Sequence, residues 1–171
     1  AFNNNAASKL IGADYGVLDV QLRPDGKIYA AGDASKDLVR FNSDGTLDSS
    51  FTVSSGLHSV VNRFFVQADG KILLGGLTVS RIGSINTLTG ESLGRLNADG
   101  SLDSSFTSTI KNGTINALIQ TSSGRILVGG DMQQNAERFF VGLNTNGFPD
   151  SSYLPNQGTS FTDSIQTHTV Q

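Results

Sequence analysis

The chain of 171 residues contains no cysteine and no tryptophan, one methionine, two histidines and three prolines. Without cysteine it forms no disulfide and no thiolate metal site, and its redox compartment stays open. Without tryptophan, and with only three tyrosines, it is poor in the flat rings that stack on sugars. Charged residues make up 16%, well under the usual quarter or so. Net charge is −3 and the pI about 5.2, with no basic cluster, which argues against nucleic acid and anionic membrane as partners. No apolar run approaches the roughly 18 residues that a membrane-crossing helix needs.

Standard catalytic motifs are missing too. There is no GxSxG elbow and no GxxxxGK[ST] loop. His58 and His168 stand about two repeat units apart, without HExxH-like spacing. No enzyme and no catalytic residue is expected. What fills the space is Gly, Ser, Thr and Asn, residues that compete with helical backbone bonding and favour strands and tight turns.

The chain repeats itself. Leu22-Arg23-Pro24-Asp25-Gly26-Lys27-Ile28 returns as Val66-Gln67-Ala68-Asp69-Gly70-Lys71-Ile72 and, degraded, as Gln120-Thr121-Ser122-Ser123-Gly124-Arg125-Ile126. A second block follows each copy. Arg40-Phe41-Asn42-Ser43-Asp44-Gly45-Thr46-Leu47-Asp48-Ser49-Ser50-Phe51 becomes Arg95 to Phe106, then Gly142 to Tyr153. The turn glycines Gly26, Gly70 and Gly124 lie 44 and 54 residues apart, a period in the range of propeller blades.

Within a unit, Leu18, Val20 and Leu22 alternate with Asp19, Gln21 and Arg23, the pattern of a half-buried first strand. Pro24-Asp25-Gly26 reads as a type I turn with glycine in the left-handed position. The second strand, Lys71-Ile72-Leu73-Leu74-Gly75-Gly76 in its clearest copy, is apolar on both faces, as for a strand between two sheets. Its closing glycines point to close backbone approach. Val39 and Phe41 mark the buried side of a third strand, and Leu47 to Phe51 supplies a short fourth strand or an anchored loop. The prediction is all-β: β-propeller-like repeats of four-stranded antiparallel blades, with a β-trefoil as the alternative.

The chain reads as one repeat domain over 1–171, with units at 16–56, 57–113 and 114–158 and partial units at 1–15 and 159–171. Phe2 sits 49 residues before Phe51, as the tail of a preceding unit would, and Ile165 takes the place of Val17, Val61 and Ile115. The expectation is an excerpt of a longer polypeptide.

The run of Asp-Gly-Lys-Ile and Gly-Gly followed by Arg-Leu-Asn-Ala-Asp-Gly-Ser-Leu-Asp-Ser-Ser-Phe resembles the delta-60 repeat, a β-propeller-like family of large bacterial surface proteins and some phage proteins. The third unit departs from it, with Thr121-Ser122-Ser123 in the first turn and Gly142 for the arginine. The resemblance implies a repeat fold that brings no catalytic residues and no ligand of its own.

Three sets of residues carry candidate chemistry. Asp44 and Asp48, repeated as Asp99 and Asp103, flank a glycine turn and could hold Ca²⁺, although the spacing is not that of an EF-hand and a hairpin turn with an Asx-type bond explains it better. No other cofactor is expected. Lys27, Lys71, Arg125, Arg40 and Arg95 recur beside these turns, as solvated ion pairs worth under about 1 kcal/mol would. The units differ most between strands two and three, where the second carries the long segment 77–92. Its Arg81, Asn86, Thr87 and Glu91 are the ligand-binding candidates, because insertions on one face of an array often bind.

The function expected is a non-enzymatic structural or adhesion module of a larger extracellular, cell-surface or virion protein, such as a phage appendage. The alternative is a carbohydrate-binding lectin domain with its site in 77–92. The expected partners are other repeats of the same or neighbouring chains, with a surface glycan or protein outside them; neither nucleic acid nor membrane insertion is expected.

Overall fold

The computed structural model describes residues 16–32, 38–53, 60–77, 92–111, 113–132 and 138–152. They form three consecutive antiparallel meanders and contain no helix. The first unit has β1 (Val17–Leu22), β2 (Ile28–Gly32) and β3 (Leu38–Phe41). The second has β4 (Val60–Val66), β5 (Ile72–Leu77) and β6 (Leu93–Leu96). The third has β7 (Gly113–Gln120), β8 (Ile126–Met132) and β9 (Arg138–Leu143). A single backbone pair, Leu77 with Thr114, links β5 to β7, so the second and third meanders share one six-stranded sheet.

The turn chemistry that the sequence announces builds each hairpin. The Arg23 N–H donates to Lys27 O and the Gly26 N–H to Arg23 O, both at 2.9 Å. Asp25 Oδ1 accepts the Lys27 N–H at 3.0 Å. Gly26 takes φ 82°, a left-handed conformation that a side chain would strain. In the degraded third copy the Thr121 hydroxyl replaces the aspartate and accepts the Arg125 N–H at 3.1 Å.

At the far end of each first hairpin the pairing register skips one residue, between Val17 and Asp19, Val61 and Arg63, and Ile115 and Ala117. This bulge presses the first strand onto the second. A Cβ on Gly76 would overlap the Val60 carbonyl oxygen, and one on Gly130 the Thr114 carbonyl oxygen. Only glycine fits there, the close approach that the paired glycines signal.

The fourth strand is reduced to a single bridge in each unit: Leu47 with Phe41, Leu102 with Leu96 and Pro149 with Leu143. It stops because the next residue is held by its side chain. Asp48 donates its N–H to Arg40 O at 2.9 Å, and the chain turns at once, with the Phe51 N–H on Asp48 O at 3.2 Å. Each blade is therefore three strands and an anchored loop.

The core lies between units. In the first seam, Tyr29, Ala31, Leu38 and Phe51 of unit one meet Val61, Phe64, Val66, Ile72, Leu74 and Leu96 of unit two. In the second seam, Leu73, Leu93, Phe106 and Ile110 meet Ile115, Leu118, Ile126, Val128 and Leu143 of unit three. Strand β5 feeds both, Ile72 and Leu74 to one side and Leu73 to the other, so a strand apolar on both faces is a strand between two blades. First strands pack on first strands, β1 on β4 and β4 on β7. Stacking of successive meanders through the apolar seams between them is blade packing, and the fold is all-β and β-propeller-like; it is not the trefoil.

The first strand of unit one departs from the sequence expectation. Val17, Val20 and Leu22 are 44, 58 and 69% exposed, whereas their register equivalents Val61, Phe64 and Val66 are at most 5% exposed. The burial of that face comes from the preceding blade, and unit one has none against it among the described residues.

Candidate functional site

The chemistry-bearing residues of the repeat collect in one place per unit, where the second block folds back on the start of the second strand. In unit one, Asp48 Oδ2 accepts from Lys27 Nζ and Arg40 Nε, both at 2.8 Å. Its Oδ1 accepts the Ser50 N–H at 3.1 Å and the Ser50 hydroxyl at 2.6 Å. The Arg40 guanidinium lies 4.7 Å from the Phe51 ring centroid, and its Nη2 donates to Ser50 Oγ at 3.1 Å. Four residues of the motif Leu-Asp-Ser-Ser-Phe thus have a purpose each: Leu47 a bridge, Asp48 an anion, Ser50 its cap and Phe51 a ring under the cation.

Unit two repeats the arrangement. Asp103 Oδ2 accepts from Lys71 Nζ at 2.8 Å and Arg95 Nε at 2.7 Å, Ser105 caps Oδ1, and Arg95 lies 4.7 Å from the Phe106 centroid. Unit three reaches the same end differently. Gly142 stands where the arginine was, and the residue on the lysine's position is Arg125. Arg125 Nε donates to Asp150 Oδ2 at 2.7 Å and Nη2 to Ser152 Oγ at 3.3 Å, the two bonds that Arg40 makes to Asp48 and Ser50. The guanidinium has moved to a neighbouring strand and kept its place.

These are not solvated surface pairs, as the sequence pattern predicts. Asp48 and Asp103 are each 6% exposed and Arg95 8%. The carboxylate is shared by two cations and capped by a serine, so burial is matched by full hydrogen bonding. The hydrogen bond from Lys27, and after it that from Ser50, holds the Asp48 carboxyl far below the usual carboxylate range. Burial pushes Asp103 up, but the bonds from Lys71, Ser105 and Arg95 outweigh it and leave it far below that range as well. Asp150 is lowered too, first by the Ser152 hydroxyl and then by Arg125.

The other two calcium candidates serve their own turns. Asp44 Oδ1 accepts the Thr46 N–H at 2.9 Å and its hydroxyl at 2.6 Å, and Asp99 does the same with Ser101 at 2.8 and 2.6 Å. Both are lowered, chiefly by those hydroxyls. In unit three, with Asn146 for the aspartate, Asn144 Oδ1 caps the turn by accepting from the Asn146 and Phe148 N–H groups. The two carboxylates of a turn therefore face different partners, one of them a pair of cations, and Ca²⁺ needs six to eight oxygens around it. Among the described residues no group of three or more His, Asp or Glu gathers to hold a metal. Arg81, Asn86, Thr87 and Glu91 lie outside the described residues, as do His58 and His168.

Two features escape sequence reading. One is the outward reach of the arginines: Arg40 Nη1 donates to Ala98 O of unit two at 3.1 Å, and Arg95 Nη1 to Thr145 O of unit three at 2.7 Å. Beside them the Thr52 N–H donates to Asp99 O and the Thr107 N–H to Asn146 O, each at 3.2 Å. The other is a polar ladder in the first seam, where Asp19 Oδ2 accepts the Phe64 N–H and Gln21 Oε1 the Val66 N–H, both at 3.0 Å. The recurrence of Arg before Phe-Asn or Leu-Asn was the available signal for the first; nothing in the sequence marks the second.

Part of the sequence of the first two units is similar to one known family. A family model described as "Domain of unknown function (DUF5122) beta-propeller" matches residues 23–51 and 67–106, the turn-to-cluster stretches of the first two units. No curated protein and no solved structure matches the chain.

Proposed function

We propose that the chain is a non-enzymatic β-propeller repeat module of a larger extracellular or virion protein, acting as a structural spacer or adhesion element, with repeats of the delta-60 kind. One observation carries this reading. The recurring ionisable residues of the first two units, Lys27, Arg40 and Asp48 with Lys71, Arg95 and Asp103, bond to one another and to the next blade. Repetition here serves cohesion of the array, which is what a spacer needs. The family match supports the propeller part of this reading, and the low-charge composition rich in Ser, Thr and Asn fits an outer location.

Three experiments test it. Incubated with a panel of bacterial polysaccharides, the protein is expected to release no reducing ends above a buffer control; turnover would overturn the non-enzymatic reading. Immunogold labelling of source cells and virions is expected to decorate an outer surface; label confined to the cytoplasm would overturn the location. On a glycan array, a specific hit abolished by Arg81→Ala or Asn86→Ala would replace the spacer role with carbohydrate binding.

A further inference from the structure

Unit three departs from the repeat at its second turn. Where units one and two have Asp44-Gly45 and Asp99-Gly100, it has Asn146-Gly147. Asp44 and Asp99 cap their turns through the N–H and the hydroxyl of the residue two places on. Phe148 brings no hydroxyl, and its N–H goes to Asn144 Oδ1 at 3.2 Å. The Asn146 carboxamide is left with no hydrogen-bond partner among the described residues, at an exposed position. That exposure belongs to the turn and not to its place in the array, since Asp44 and Asp99 are exposed with a described blade following each.

An asparagine followed by glycine carries its own reaction. The Gly147 backbone nitrogen is the nucleophile and Asn146 Cγ the electrophile, and glycine has no side chain to block the approach. The N–Cγ bond forms as the Cγ–Nδ2 bond breaks. The proton of the Gly147 nitrogen leaves with the carboxamide nitrogen as ammonia, and a five-membered cyclic imide remains. Water then opens one of its two ring carbon–nitrogen bonds, to aspartate or to isoaspartate. The aspartate is the residue that units one and two already hold at this position.

The folded turn resists ring closure. The Gly147 N–H donates to Asn144 O at 3.1 Å and the Thr107 N–H to Asn146 O at 3.2 Å, while Arg95 Nη1 donates to Thr145 O at 2.7 Å. The last two of these bonds cross the second seam. They fix the peptide planes around Asn146, whereas ring closure must swing the Gly147 nitrogen onto Cγ. A Cβ on Gly147 would stand 2.5 Å from Thr107 O and 2.9 Å from Phe106 Cζ, so there is no room for that swing while the seam is shut.

We propose that Asn146 is a deamidation site gated by the second seam: the shut seam protects it, and each local opening frees the Gly147 nitrogen to react. The conversion runs one way and adds a negative charge, so it records past opening. Aspartate leaves the main chain unchanged and lets the seam shut again. Isoaspartate lengthens the main chain beside Phe106 and Thr107, and holds the seam open.

Peptide mapping by mass spectrometry after ageing in warm neutral buffer tests this. It reads the one mass unit gained at Asn146 and separates it from the other Asn-Gly pair, Asn112-Gly113. Conversion is expected to be about tenfold or more faster in urea above the unfolding midpoint than in native buffer. Below the midpoint its rate is expected to follow exchange of the Gly147 amide proton. Arg95→Lys lacks the fork that serves Asp103 and Thr145 at once, and is expected to speed conversion several-fold in native buffer. No conversion in the unfolded chain would overturn the site. A native rate equal to the unfolded one, or one indifferent to Gly147 exchange, would overturn the gate. An unchanged rate in folded Arg95→Lys would remove the seam from it.

Discussion

The two seams share a backbone plan and differ in what fills it. In the first, unit one caps the open inner edge of β4 with side chains: Asp19 and Gln21 accept the Phe64 and Val66 N–H groups, and Arg23 Nη1 donates to Val66 O at 3.1 Å. Arg63 returns the favour with Nη1 on Leu18 O at 3.2 Å. In the second, the residue at Gln21's position is Phe65, which packs into the apolar cluster. There, beside the arginine and threonine bonds that both seams share, the polar contact is the fully buried Ser92 hydroxyl, which donates to Gly113 O at 2.7 Å and accepts the Gly113 N–H at 3.0 Å. An edge strand inside an array must have its backbone groups met and its apolar face covered. One seam meets those needs with long polar side chains, the other with a dry cluster and one serine. The dry seam draws its strength from burial and the laced seam from hydrogen bonds, so they are expected to break under different substitutions.

Ile126→Ala removes a fully buried side chain from the dry seam and is expected to cost about 4 kcal/mol in chemical denaturation, transfer and cavity together. Leu74→Ala, equally buried in the laced seam, is expected to cost about 3 kcal/mol, because the Phe64 ring paired with it across the ladder can settle inward. Equal or reversed costs would remove the distinction between the two seams.

The ion clusters rank next. Asp103→Asn leaves Lys71 and Arg95 facing a neutral amide in a buried setting and is expected to cost about 3 kcal/mol. Asp150→Asn, which leaves only Arg125 in a more open site, is expected to cost clearly less. Because Arg95 also reaches Thr145, Asp103→Asn should loosen unit three before unit one, which amide exchange would resolve as faster opening of β8 and β9 than of β2. Below these, Gln21→Leu strips the Val66 N–H of its acceptor and is expected to cost about 1 kcal/mol; the equivalent Phe65→Leu loses only packing.

Legibility follows the same divide between local and neighbouring causes. Both hairpin turns, the alternation of the first strand and the two-sided apolarity of the second are local properties, and each is visible in the residues that make it. The paired glycines even announce the overlap with the Val60 and Thr114 carbonyls. The fourth strand shrinks to a bridge because Asp48 turns back to Lys27 and Arg40, a tertiary bond that outweighs the strand pattern of Leu47 to Phe51. The same pairing, read in sequence as a solvated one, is buried because the next blade covers it. The exposure of Val20 and Leu22 is illegible for the opposite reason: the residues are apolar, and only the absence of a described neighbour decides their fate. The ligand-binding candidates in 77–92 lie outside the described residues.

The smallest effect is the one that separates the seams by pH. Burial raises the Asp19 carboxyl above its usual 3.8, against the lowering from the Phe64 N–H and Arg63. A carboxyl whose folded pKa is raised binds its proton more readily when folded, so Asp19 adds stability as pH falls toward 3.8 through the window just above it. Asp48 and Asp103 have the opposite sign. Their stabilisation is complete above about 3.8 and is lost as pH falls below it. Thermal unfolding between pH 3 and 6 is therefore expected to show a slight rise on acidification and then a steep fall. Asp19→Asn keeps an acceptor for the Phe64 N–H and should abolish the rise while leaving the fall intact. Asp103→Asn should blunt the fall and leave the rise. A rise that survives Asp19→Asn would place the acid-stabilised group elsewhere and return the laced seam to the same pH behaviour as the dry one.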